Sequence, residues 1–194
     1  IRGPKIQQLI DDMFETMKEY QGVGLAAPQV HEGLRIFVAG FAAGPEDEDE
    51  DEEAGEADEE DVPLMALINP EITVIGRETV EDWEGCLSIP NVRQDVNRPE
   101  RIRIKYFDRD WKEKEDMLDG LKARIVQHEY DHIDGVLFTD HLSGFKKRLI
   151  KGRLTKISKG DVDVDYRMKF PLAKATRFLF ELLAATSWLL LFIL

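Results

Sequence analysis

Apolar residues recur at three- and four-residue intervals from Ile6 through Leu9, Ile10, Met13, Phe14 and Met17. That spacing predicts a helix with one buried face, ending near Gln21-Gly22. The next segment, Gly22-Val-Gly-Leu-Ala-Ala-Pro-Gln29, is built of small residues, with Gln29 its one strong polar side chain. Such a turn permits close backbone approach to a neighbour or ligand. Arg35-Ile-Phe-Val-Ala39 reads as a short strand, and Leu64 to Ile75 as strand-like with a break at Asn69-Pro70. Val80 to Pro90 holds the segment Glu84-Gly-Cys-Leu-Ser88. In Arg101-Ile-Arg-Ile-Lys-Tyr106 the alternation is clean: Ile102, Ile104 and Tyr106 take one face and the basic residues the other, as in a half-buried antiparallel strand. Asp108 to Trp111 turns the chain, and a helix is expected from about Met117 to Ile133, with Leu121, Ile125, His128 and His132 on a shared inward face. After the short apolar run Val136-Leu-Phe138, Leu149, Ile150, Leu154 and Ile157 mark a further helix within a basic segment, Lys146 to Lys159. Its cations suit solvent first, and RNA or a ribosome second. Strands followed by a motif-bearing helix argue for an α+β domain. There is no internal repeat.

Composition changes this picture at two places. Between Glu46 and Asp61, 13 of 16 positions are Asp or Glu. They account for the whole formal net charge of −13, so the remainder is balanced and the acidity of the chain implies no basic partner. A run without aromatic or branched residues cannot offset its chain entropy by burial, so residues 45–62 are expected to form a disordered insert. At the other end, Phe178 to Leu194 is apolar except for Glu181, Thr186 and Ser187. As a helix its 17 residues would be about 25 Å long, just short of a ~30 Å hydrocarbon core. Lys169, Lys174 and Arg177 before it suit a cytosolic flank. The tail therefore fits a membrane anchor, and equally a helix packed on its own domain or on a second subunit. The expected organisation is a catalytic domain over 1–171 interrupted by the insert, then a hydrophobic tail over 172–194. The opening Ile1-Arg2-Gly3-Pro4 shows no signal peptide and reads as a processed or truncated form. A single cysteine, Cys86, excludes an internal disulfide and fits a reducing compartment.

His128-Glu-Tyr-Asp-His132 carries the candidate chemistry. Helical residues four apart stand one above the other, so both imidazoles can reach one metal, and Glu129 can meet a water activated there. A catalytic site of this kind needs a third protein ligand and an open position. A third histidine six residues after His132 is absent, since Phe138 stands there; His141 lies too far along, and His31 sits in a turn. Cys86 is the remaining good ligand as a thiolate, although a lone cysteine is equally suited to a structural, buried position.

Together, Gly22-Val-Gly-Leu-Ala-Ala-Pro-Gln29, Glu84-Gly-Cys-Leu-Ser88 and Gln127-His-Glu-Tyr-Asp-His132 resemble the three motifs of the peptide deformylases, in order. The resemblance runs from about Ile6 to Pro171, includes the Arg-Pro-Glu segment after Cys86, and is greatest to bacterial members. It implies antiparallel sheets packed around a central helix that carries the H-E-x-x-H motif. It further implies an amidase that takes the formyl group from the N-terminal methionine of nascent polypeptides in the cytoplasm. Cys86, His128 and His132 would bind the metal, and Glu129 would serve as general base and acid. Gln29, through its amide, and Leu87, through its backbone N–H, would form the oxyanion hole. Val23, Leu121, Ile125 and the His128 ring would line the methionine pocket, and Gly24 and Gly85 would pair with the extended substrate. The implied metal is ferrous iron, with zinc, nickel or cobalt able to substitute. Two rivals follow from the residues alone: an H-E-x-x-H metallopeptidase, which needs no Cys86, and a non-catalytic metal or nascent-chain binding protein, for which Gln29 and Glu129 are surplus.

Overall fold

The computed structural model describes residues 3–41 and 62–170. The expected insert, apart from Val62, and the tail lie outside the described residues. The first compact unit comprises Ile1–Glu84 and Asp95–His141. Its first helix, α1 (Pro4–Glu19), opens on a proline in its first turn, where the missing N–H costs nothing. It closes where Gln21 turns to positive φ and the Gly22 N–H donates to the Met17 carbonyl at 2.8 Å.

Five strands follow in sheet order β1 (Gly24–Ala26), β2 (Ile36–Phe41), β3 (Val62–Cys86), β4 (Ile89–Phe107) and β5 (Glu113–Leu118). The strand pairs β1/β2, β2/β3 and β4/β5 are antiparallel. Period-two alternation divides the sheet residues between two helices. Ile36, Val38, Ala66 and Ile68 join Ile6, Ile10, Met13 and Met17 of α1 in one buried cluster. Phe37, Ala39 and Leu67, with Ile102, Ile104 and Tyr106, join Ala123, Ile125 and Val126 of α2 (Gly120–Ile133) in another. The α+β class is as expected, and the motif helix lies on one face of the sheet while α1 covers the other.

Three elements depart from the sequence reading. The break expected at Asn69-Pro70 is a local one: Asn69 adopts φ 50° and β3 continues through it. The segment read as the start of the motif helix is instead β5, in register with β4 from Ile102↔Leu118 to Phe107↔Glu113. The Tyr106 hydroxyl donates to Asp116 across that ladder at 2.8 Å. Gly120, at φ 51°, then breaks the strand so that the helix can begin. Leu121, expected to face inward, is 46% exposed on the first turn of α2.

The second unit joins Gly85–Gln94 to the described part of Leu142–Leu194. It contains α3 (Gly144–Ser158), capped by Ser143, whose hydroxyl accepts from the Lys146 N–H at 3.3 Å. Beyond it, residues 161–170 form a strap with no helix or strand that bends at Asp165 and Tyr166; Val162, Val164, Tyr166, Met168 and Phe170 are half-buried and the charged residues between them exposed. Among the described residues no helix is long and apolar enough to cross a membrane.

Candidate active site

Cys86, the last residue of β3, and His128 and His132 of α2 each offer one ligand atom, and these three atoms all lie within 4.8 Å of one another. That is close enough for one ion held through bonds about 2.0–2.3 Å long. One thiolate and two imidazoles are a donor set for a borderline transition metal, and three protein ligands leave a position open, as a catalytic site needs. The two rings meet edge to face, 5.0 Å between centroids, and Phe138 stacks on the His128 ring at 6.1 Å.

The orientation of His128 is set by Glu84. The His128 Nδ1 lies 2.9 Å from Glu84 Oε2. Burial alone would raise the Glu84 carboxyl, but hydrogen bonds from His128 and Arg98, with the charge of Arg98, outweigh it and hold it at about 2. An ionised carboxylate only accepts, so Nδ1 carries the proton and Nε2 is the nitrogen left to bind metal. Glu84 is itself held by two guanidinium groups. Arg98 donates through Nε at 2.6 Å and Nη2 at 2.9 Å, and Arg124 through Nη1 at 2.7 Å. Arg98 also reaches Asp131 at 2.8 Å, and Asp131 lies 2.7 Å from His141 Nε2. Glu84, Arg98 and Arg124 are all buried.

Glu129 is buried on α2 against the backbone of β1. A Cβ built on Gly24 would overlap its carboxylate and stand 2.6 Å from its Cγ and Cδ. The glycine in β1 is therefore a clearance for this side chain. Gly24→Ala is expected to displace the Glu129 carboxylate and lower kcat/KM by about 10²-fold, with metal content unchanged; paired turnover and metal analysis check it.

Gln29 sits in a 3-10 turn, Ala27–Val30, that brings its side chain back on its own loop. Its Oε1 accepts from the Ala26 N–H at 2.8 Å, which fixes the amide so that the NH₂ end, the donor, points elsewhere. Leu87 is half-buried in the two-residue turn between β3 and β4, and Gly85 lies exposed just before it. Of the expected pocket residues, Val23 and Leu121 are exposed apolar side chains, whereas Ile125 belongs to the core cluster under α2. His31 and His141 are not part of the ligand cluster.

Sequence reasoning missed the supporting role of Arg98, Arg124 and Asp131: Arg98 and Asp131 stand inside segments it named, but the partners that give the two arginines their role lie 14 to 44 positions away. It also missed the strap, although Asp161-Val-Asp-Val-Asp-Tyr-Arg-Met-Lys-Phe170 alternates plainly.

A sequence profile described as polypeptide deformylase matches residues 1–148. The peptide deformylase of Cytophaga hutchinsonii is 54% identical over 167 residues, covering 84% of this chain and 83% of that protein. The crystal structure of peptide deformylase from Ehrlichia chaffeensis superposes with a TM-score of 0.67 at 38% identity, over 82% of this chain and 84% of that one. A Met-Ala-Ser-bound structure of the class I type b enzyme from Acinetobacter baumannii gives 0.62 at 32%, over 73% and 84%.

Proposed function

The chain belongs to the polypeptide deformylase family and is a metal-dependent enzyme that removes N-terminal formyl groups from nascent peptides, and from that premise we propose how its own residues carry the reaction. Cys86, His128 and His132 hold the metal. A divalent cation there supplies Lewis acidity, lowering the pKa of water and polarising the formyl group. Glu129 takes the proton from the attacking water and returns it to the leaving amine as the C–N bond breaks, so formate and a free N-terminus are the products. The Gln29 amide and the Leu87 N–H donate to the oxygen that gains charge, each worth about 3 kcal/mol in comparable sites. Val23, Leu121, Ile125 and the His128 ring receive the methionine side chain. Gly24 and Gly85 offer backbone groups to the extended peptide; the place of β1 at the edge of the sheet supports this.

The observation that carries this reading is the clustering of one cysteine and two histidines, with a buried glutamate following the first histidine. Formyl-Met-Ala-Ser is the test substrate, given anaerobically to the iron- or nickel-loaded protein, with formate as the readout. We propose ferrous iron as the native metal, a choice that a thiolate ligand makes oxygen-sensitive. Cys86→Ala is expected to lose metal and formate release together. A variant that kept its metal and cleaved internal peptide bonds would point to a metallopeptidase instead. For partners beyond the substrate, we propose the ribosome through 146–159, where Lys147, Arg148 and Lys151 are exposed. Salt-sensitive co-sedimentation with ribosomes tests it. Membrane or protein contact through 178–194 is a proposal about residues outside the described ones.

A further inference from the structure

Leu87 and Ser88 are the two residues that join β3 to β4. Two-residue hairpin turns favour positive φ, which matches strand twist. Neither Leu87 nor Ser88 adopts it; the positive φ falls at Asn91, beyond the turn. Within the same compact unit the Tyr166 hydroxyl donates to the Leu87 carbonyl at 2.7 Å, across 79 positions of sequence.

Tyr166 is itself placed by the strap. Within it Val162, Val164, Met168 and Phe170 are half-buried like the tyrosine, while Asp161, Asp163, Asp165, Arg167 and Lys169 are exposed. The strap begins after Gly160, at φ 76°, and the Phe170 ring closes back on that glycine, 3.1 Å from where a Cβ would stand. The segment thus folds back on itself, with the tyrosine at its bend.

We propose that Tyr166 is a positioning residue for deformylation: by binding the Leu87 carbonyl it fixes the turn whose N–H donates to the reacting oxygen. This rests on the oxyanion role assigned to Leu87 above. Fixing a donor before the reaction matters because a donor already in place needs no reorganisation as charge develops.

Tyr166→Phe removes the hydroxyl and keeps the ring. It is expected to lower kcat on formyl-Met-Ala-Ser by about three- to tenfold, the worth of one ordinary hydrogen bond, at unchanged KM. The Cys86-to-cobalt charge-transfer band of the cobalt-loaded protein should stay as in the parent, and the melting temperature should fall by no more than about 2–4 °C. Val164→Ala, which alters strap packing without touching the hydroxyl, should leave kcat unchanged. Equal kcat for Tyr166→Phe and the parent would overturn the proposal, and so would a loss of kcat shared by Val164→Ala or accompanied by a shifted cobalt band. Absence of formate from the parent protein would overturn the deformylase reading of the site and this inference with it.

Discussion

Glu129→Gln is expected to cut formate release by about 10²- to 10⁴-fold while leaving the metal in place. The substitution is nearly isosteric, so the tight contact with Gly24 survives and the helix is undisturbed. What disappears is the capacity to accept a proton from water and return it to the amine. His128 and His132, proposed above as ligands, are untouched, so metal content should match the parent. Formate assay and metal analysis on one preparation decide the matter. Full activity in Glu129→Gln would remove the glutamate from the mechanism and favour a site that binds without catalysing.

Glu84→Ala should have the largest effect on stability. It strips the carboxylate from between the Arg98 and Arg124 side chains, which are only 4% and 8% exposed, and leaves two buried guanidinium groups with only Asp131 and the exposed Asp82 as counter-charges. Breaking such a cluster costs about 3–5 kcal/mol. The exposed Arg35–Asp134 pair, by contrast, would be worth at most about 1 kcal/mol. The same change frees the His128 ring, so metal affinity should fall by about 10- to 100-fold. Urea unfolding and a metal titration measure the two losses separately. The pH dependence carries a sign. The Glu84 carboxyl is depressed from 4.5 to about 2, so its contribution is complete above about pH 4.5 and is lost as pH falls towards about 2. Glu84→Gln should flatten acid destabilisation in that window. A variant as acid-sensitive as the parent would show that the pairing does not govern it.

The sequence made α1 and the motif helix legible because their information is local. Heptad-scale spacing from Ile6 to Met17 identifies a buried face, and four-residue spacing puts two histidines on one line. β5 was illegible for the opposite reason. Glu113 to Leu118 has no apolar face of its own, with Met117 exposed, and is a strand because β4 supplies a partner. Propensity favoured an earlier helix start, and the ladder overrode it. Leu121 followed the helical period but falls in the first turn, clear of the core, so periodicity placed it on the right stripe and at the wrong depth. The cluster of Cys86, His128 and His132 could be anticipated from spacing for the histidines and from motif resemblance for the cysteine. Their supports could not, since Arg98 and Arg124 are ordinary surface residues in any linear reading and only the fold draws them under β3.

The arginine pair around Glu84 also constrains how this protein can change over generations. Replacing Glu84 leaves two buried guanidinium groups without the carboxylate they share, whereas replacing either arginine leaves Glu84 still paired with the other. The three positions are coupled, and their substitutions will not add. A lineage could drift in its surface, its insert or even its preferred metal by small independent steps. Within the trio Glu84 is therefore the position least free to change while both arginines stand.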